Sequence, residues 1–182
     1  MKKIILLLAI FFLVGLGFAQ MTPDQFRKIV SAEGDSVPLL SQLSAIPLWT
    51  NATVSNLMKY ASGKVFKEEM LQTSRTVGGK YVVFTCQSKF YQQSISSILT
   101  YDEKASAVKV YGLYGEVVTE GTVVYDYEKK IYAITSNYGE DFKEITVGSY
   151  SDTESSDRTL VYKAGVLFMT REVKSHPIAA KK

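Results

Sequence analysis

Residues 75–86 read Arg75-Thr76-Val77-Gly78-Gly79-Lys80-Tyr81-Val82-Val83-Phe84-Thr85-Cys86. Two adjacent glycines suit the positive φ angles of a tight reversal, and β-branched or aromatic residues stand on both sides, so the segment predicts a β-hairpin. The same pattern recurs downstream. Lys163-Ala164-Gly165-Val166 joins two β-rich runs with almost no loop, Glu128-Lys129 does so between Tyr127 and Lys130, and Asn137-Tyr138-Gly139 begins another reversal. Strands are expected near 66–76, 80–88, 94–102, 106–113, 117–127, 130–136, 142–150, 158–163 and 166–174, the first of which also fits a helix over Lys67 to Gln72. Parallel neighbours would need crossovers of a dozen residues or more, which these gaps do not hold. The expected fold is therefore mainly β, an antiparallel meander of about eight or nine strands. Closing it, or nearly closing it, into a barrel removes the exposed edges. A two-sheet sandwich is the alternative, and it would show longer crossing connections.

Upstream of the meander, residues 20–63 read as helical. Thr22-Pro23-Asp24-Gln25 has the cap, the preset φ and the reciprocal capping partner of a helix start, and Phe26, Ile29 and Val30 then share a face as far as Gly34. A second short helix is expected from Ser36, presenting Leu39, Leu40 and Leu43 and stopped by Pro47. A third is expected from Asn51, with Val54, Leu57, Met58 and Ala61 at i, i+3, i+4, i+7 and Gly63 as its stop.

The amino terminus reads as a cleavable secretory signal over residues 1–19. Lys2 and Lys3 precede an apolar run from Ile4 to Val14, and Gly17 and Ala19 stand at −3 and −1 of a cut before Gln20. The apolar run is shorter than the roughly 20 residues a spanning helix requires, and no later segment approaches that length. The expected location is outside the cytoplasm, periplasmic or secreted, with a barrel domain at 64–174 and a flexible tail at 175–182. Cleavage removes two of the 21 basic residues, so the working chain has 19 against 18 acidic ones, a net of +1. A near-neutral surface argues against nucleic acid as a partner.

From Met70 to about Val173 the chain resembles the lipocalin-like, or calycin, group, and in particular small exported bacterial barrels of unassigned function. The resemblance is carried by Arg75-Thr76-Val77-Gly78-Gly79-Lys80-Tyr81, by Leu99-Thr100-Tyr101-Asp102 followed by Val108-Lys109-Val110-Tyr111, and by a terminal hairpin ending in Arg171. It implies a barrel with a ligand-holding interior. The Gly-x-Trp opening of lipocalins is missing. The one tryptophan, Trp49, lies in the upstream segment, where a cation–π contact with Arg171 would restore the lipocalin pairing. The haem-binding relatives need a strand histidine, and the one histidine here, His176, falls in the expected tail.

That histidine also limits the chemistry. A rigid Ser–His–Asp triad is not supported, and one His with one distant Cys cannot fill a zinc site. Cys86, the lone cysteine, sits in an apolar run and reads as a small buried hydrophobe. The acidic groups Glu140, Asp141 and Glu144, and Asp152 to Asp157, read as solvated hairpin tips. No phosphate-binding glycine loop or dinucleotide fingerprint appears, and no cofactor is expected.

Twelve tyrosines are the remaining signal, each with an apolar face and a hydroxyl suited to an amphipathic ligand. Strand parity puts Ala107, Lys109 and Tyr111 outside and Val108, Val110 and Gly112 inside. Glu120, Thr122 and Asp126 outside imply Val117, Gly121, Val123 and Tyr125 inside. Phe84 and Cys86, or else Tyr81 and Val83, line the interior. The expected ligand-binding residues are Phe84, Cys86, Val110, Tyr125, Tyr132 and Tyr162. The expected function is non-catalytic binding of an apolar or amphipathic small molecule in the barrel. The alternative is a cell-envelope structural or protein-interaction module with a filled barrel and a working surface at Leu39, Leu40, Leu43 or Trp49. An enzyme ranks third, since it needs a perturbed group in a cleft.

Overall fold

Ten antiparallel strands follow one another in chain order around a closed barrel: β1 (Asn51–Tyr60), β2 (Val65–Val77), β3 (Tyr81–Ser88), β4 (Gln93–Asp102), β5 (Ala107–Tyr114), β6 (Val117–Asp126), β7 (Ile131–Tyr138), β8 (Phe142–Tyr150), β9 (Ser155–Lys163) and β10 (Val166–Pro177). The computed structural model describes residues 21–44, 46, 48–88, 92–138 and 141–178. The signal segment 1–19, the Pro47 stop and the last four residues of the expected tail lie outside them. Helix α1 (Pro23–Ser31) and the single turn α2 (Ser41–Ser44) precede the barrel.

The meander and its closure are as expected, with one strand more. The addition is β1, which occupies the segment read as a third helix. Its pattern Val54, Leu57, Met58, Ala61 fits one helix face, but Ala52, Val54, Asn56 and Met58 fit one strand face equally well, and all four are buried. The strand wins because β2 and β10 both need a partner: β1 pairs with β2 from Asn51↔Thr73 to Lys59↔Val65 and with β10 from Ala52↔Pro177 to Tyr60↔Met169. The same pairing takes Ser175, His176 and Pro177 out of the expected tail and into β10, where exposed His176 faces outward opposite Thr53.

The helical segment divides between two places. Helix α1 has the capping box its sequence announces, with Thr22 Oγ1 accepting from Gln25 N–H at 3.2 Å and Gln25 Oε1 accepting from Thr22 N–H at 2.9 Å. Its face of Phe26, Ile29 and Val30 lies on the outer wall, over Val83, Ile98, Tyr111 and Val118. This explains the doubled apolar pairs Val82-Val83 and Ile98-Leu99: in β3 and β4 both faces are covered, the inner by the core and the outer by the helix. Arg75, on the outer face of β2, ties the helix down by donating from Nε to the Ala32 carbonyl at 3.0 Å and from Nη2 to the Val30 carbonyl. Those carbonyls at the helix end have no partner within the helix.

The stretch after α1 turns into the barrel. Asp35 holds it to the β2–β3 hairpin, with Oδ2 accepting from Gly78 N–H at 2.6 Å and Oδ1 from Val37 N–H at 3.0 Å. Leu40 N–H then donates to the Gly79 carbonyl at 2.9 Å. Gly79 has φ +65°, and a Cβ there would stand 2.6 Å from the Pro38 carbonyl oxygen, so both its backbone angle and its neighbour require glycine. Leu39, Leu43, Ile46 and Leu48 then pack on the inward side chains Val82, Leu99, Val108 and Val123. Leu43 is fully buried. One barrel end, bounded by the hairpins after β2, β4, β6 and β8, is thus stoppered by the chain's own leucines. Two of them, Leu39 and Leu43, are among the residues the alternative reading placed on a working surface, and fully buried Leu43 is not available there.

Exposed Lys67, Glu69, Lys143, Arg158, Glu172 and Lys174 stud the outer wall. A barrel whose strands crossed a bilayer would present an apolar band instead. Among the described residues no helix is long and apolar enough to cross a membrane.

Candidate functional site

The interior is built by strand parity, and the ten registers agree on it. Of the six expected lining residues, Phe84, Cys86, Val110, Tyr125 and Tyr132 stand on the inner face: Phe84 pairs with Ser74, Cys86 with Gln72, Val110 with Leu99 and Gly121, and Tyr125 with Tyr132. Tyr162 does not. It pairs with Lys143, on the opposite parity from buried Thr159 and Val161, and lines an outer cleft of about 640 Å³ with Asn137, Lys143 and Ala164. Inside its own expected strand the charges conflict, since an outward Arg158 puts Tyr162 outside whereas an outward Lys163 puts it inside. Val108, Val110, Gly121 and Val123 face in as expected, and Tyr81 and Val83 face out, beneath α1.

Against the stopper the lumen is apolar, and tyrosines form its wall. Tyr125 and Tyr132 have ring centroids 6.0 Å apart, and Tyr132 and Tyr150 are 6.4 Å apart. Burial raises the hydroxyl pKa of both Tyr125 and Tyr132, so both remain neutral donors. Tyr132 uses its proton on Asp157, with a 3.2 Å bond to Oδ2.

Asp157 belongs to a polar belt that single-residue inspection of the sequence did not reveal. Inward positions of β1, β2, β3, β8, β9 and β10 bring together Asn56, Glu68, Ser88, Glu144, Asp157 and Arg171, with Thr146 and Thr159 between them. Glu68 Oε2 accepts from Ser88 Oγ at 2.9 Å and Oε1 from Asn56 Nδ2 at 3.4 Å. Thr146 and Thr159 share a 2.8 Å hydroxyl bond. Arg171 extends Nη2 to Thr159 Oγ1 at 3.4 Å and to within 4.0 Å of Glu144. Arg171 therefore serves the lumen, while Trp49 stays at the stoppered end, its carbonyl accepting from Ser74 Oγ. Burial raises the Asp157 pKa, opposed by Arg171 and by the Tyr132 bond. Burial also pushes the Cys86 thiol up to about 11, with Glu68 adding and Arg171 opposing. At neutral pH that thiol is protonated and a poor nucleophile.

The other barrel end has an aromatic rim. Tyr60 meets Phe66 and Phe168 edge-on at centroid distances of 5.8 and 5.5 Å, and Phe168 meets Phe142 at 5.9 Å. A register shift between Leu167 and Met169 turns Phe168 toward these inward rings. Lys64 Nζ lies 4.5 Å from the Phe66 ring centre and Lys163 Nζ lies 5.3 Å from that of Phe142. Val65, Val166 and Leu167 are exposed beside them. Although Arg171 points inward from mid-strand, 34 % of its side-chain surface is accessible. Water thus reaches the belt. The candidate site is the barrel interior, with an apolar, tyrosine-walled floor, a charged belt and an aromatic rim.

Among the described residues no group of three or more His, Cys, Asp or Glu side chains is arranged to hold a metal ion. No family model matches the chain, and no curated protein matches it.

Proposed function

We propose that the protein holds an amphipathic small molecule in the lumen of its barrel without transforming it, and that it does so as an exported, lipocalin-like carrier. The observation that carries this reading is the accessible surface of Arg171 in the middle of an inward strand face, between an apolar floor and an aromatic mouth. Binding pockets combine such apolar walls with a few convergent polar groups. Ten strands make a wider barrel than the eight of a lipocalin. The export signal at residues 1–19 supports a site outside the cytoplasm, where such carriers work. Native mass spectrometry of the full chain purified from its own host is the direct test. A co-purifying mass released on denaturation is expected, and an empty protein that takes up no amphiphile on titration would count decisively against the reading.

The interaction-module reading retains one observation in its favour. Outward-facing Val124, Ala133 and Val147 are paired across β6, β7 and β8, and all three are exposed. Loss of a protein partner on a Val147→Lys change, with ligand uptake unaltered, would favour it.

A further inference from the structure

We propose that the protein docks its aromatic barrel end onto an anionic lipid surface, lying on the bilayer without spanning it. This goes beyond ligand holding and does not depend on what the interior contains. The docking patch is formed by two hairpins, β1–β2 and β9–β10, which the β1–β10 seam sets side by side. They put Val65, Val166, Leu167 and Phe168 into solvent, with Val65 57 % and Val166 71 % exposed. Edge-on contacts of Tyr60 with Phe66 and Phe168, and of Phe168 with Phe142, join these side chains into one apolar surface. A contiguous patch of this kind marks an interaction site, whereas single exposed apolar residues do not. Its mixture of rings and aliphatic side chains beside lysines suits the boundary between lipid head groups and acyl chains.

Charge selects the partner. The two hairpins of the patch carry Lys64 and Lys163 and no carboxylate. Both ammonium groups are held at the level of the rim, over the Phe66 and Phe142 rings. Exposed Asp141, next to Phe142, is the nearby described carboxylate that opposes them. The four hairpins of the stoppered end, in contrast, carry six carboxylates, Asp102, Glu103, Asp126, Glu128, Asp152 and Glu154, against four lysines, Lys80, Lys104, Lys129 and Lys130. An anionic surface therefore attracts the apolar end and repels the stoppered one. Two copies meeting rim to rim would instead set Lys64 and Lys163 against the same lysines of the other copy.

The outer wall limits the depth. Exposed Lys143 follows Phe142 directly, and exposed Lys67 lies two residues, about 7 Å of strand, beyond Val65. An interfacial element buries its apolar side chains by about 5–10 Å. The hairpin tips can therefore enter the apolar layer while the charged wall stays among the head groups and water.

Vesicle co-sedimentation of the protein, in the form its host produces, tests the proposal. Vesicles of phosphatidylglycerol and phosphatidylcholine in equal parts are compared with vesicles of phosphatidylcholine alone. The bound fraction is expected to be several-fold higher on the anionic vesicles and to fall as salt is raised. Val65→Asp and Val166→Asp, each at an already exposed site, should each lower binding several-fold. Lys64→Gln combined with Lys163→Gln should remove the preference for the anionic vesicles. Val124→Asp, exposed on the opposite side of the barrel wall, should leave binding unchanged. Binding that both rim Asp variants retain in full, or that Val124→Asp abolishes equally, would overturn the docking surface. Equal binding to the two kinds of vesicle would overturn the anionic partner. A dimer in sedimentation velocity that Val166→Asp dissociates, with no vesicle binding by the parent, would give the patch to a second copy and overturn the lipid surface. Each of these failures leaves ligand uptake by the interior untouched, so the two readings fail separately.

Discussion

The Tyr132 hydroxyl reaches the Asp157 carboxylate, 3.2 Å away, from two strands off, across the face of Gly148. Gly148 pairs with Tyr132 on one side and with Asp157 on the other, and a Cβ on it would lie 2.4 Å from the tyrosine ring. The bond exists because β8 carries no side chain at that point. Gly148→Ala should therefore displace the ring, break the bond and cost about 1–3 kcal/mol, as overpacking in tight cores does. Urea denaturation measures this, and a variant as stable as the parent would show that the ring moves aside freely.

Asp157 makes stability depend on pH in a defined sense. Its pKa in the folded protein lies above the ordinary value of 3.8, because burial disfavours its charge. The folded state binds that proton more tightly than the unfolded chain does. Stability is thus fully present below the unfolded value and is lost as pH rises through the folded one. Asp157→Asn removes that loss while keeping an acceptor for Tyr132. It should raise the Tm at pH 7, with the gain shrinking as pH falls toward 4. A gain independent of pH would refute the assignment.

Leu43 should be the most sensitive position outside the strands. It is fully buried between the stopper and Val82, Leu99, Val108 and Val123. Leu43→Ala should cost about 2–5 kcal/mol by the cavity it leaves. Chemical denaturation reads that loss, and entry of an apolar dye from the stoppered end would accompany it.

Asp35 holds the entering chain through two backbone donors, Gly78 N–H and Val37 N–H. Asp35→Ala should cost about 1–2 kcal/mol and speed hydrogen exchange at Leu40 N–H, which is bonded to the Gly79 carbonyl. Unchanged exchange there would show that the leucines hold the segment by themselves.

Cys86 reports on the lumen. With its thiol pushed up to about 11, alkylation by iodoacetamide should be slow at pH 8 and should accelerate as pH rises toward that value. Arg171→Gln should slow it further, since the guanidinium opposes the upward shift. Rapid labelling at pH 7, followed by mass spectrometry, would contradict the half-buried, protonated thiol.

Nine of the strands were legible because hairpins announce themselves locally, by glycine pairs and by alternation over short distances. The first strand was not, because Val54 and Met58 satisfy both a helical and an extended spacing, and only the needs of β2 and β10 decide between them. Val110 and Tyr125 followed from parity beside charged outward neighbours such as Lys109 and Glu120, whereas Phe84 and Cys86 stood as one of two alternatives with Tyr81 and Val83 because no charged residue lies between Tyr81 and Cys86. Tyr162 had charged neighbours of conflicting parity, Arg158 and Lys163, and was misplaced. The polar belt was hidden for a different reason. Asn56 and Glu68 lie near the start of the domain and Asp157 and Arg171 near its end, so only the closed topology makes them neighbours.

The seam between β1 and β10 joins the first strand to the last. Every other pairing in the wall can form between segments adjacent in the chain, but this one must bring Ala52 against Pro177, a long loop closure that delays folding. A chain lacking β10 would be a curled open sheet with two unsatisfied margins, prone to join its own kind. The interior is therefore enclosed only once β10 has been made and seated against β1.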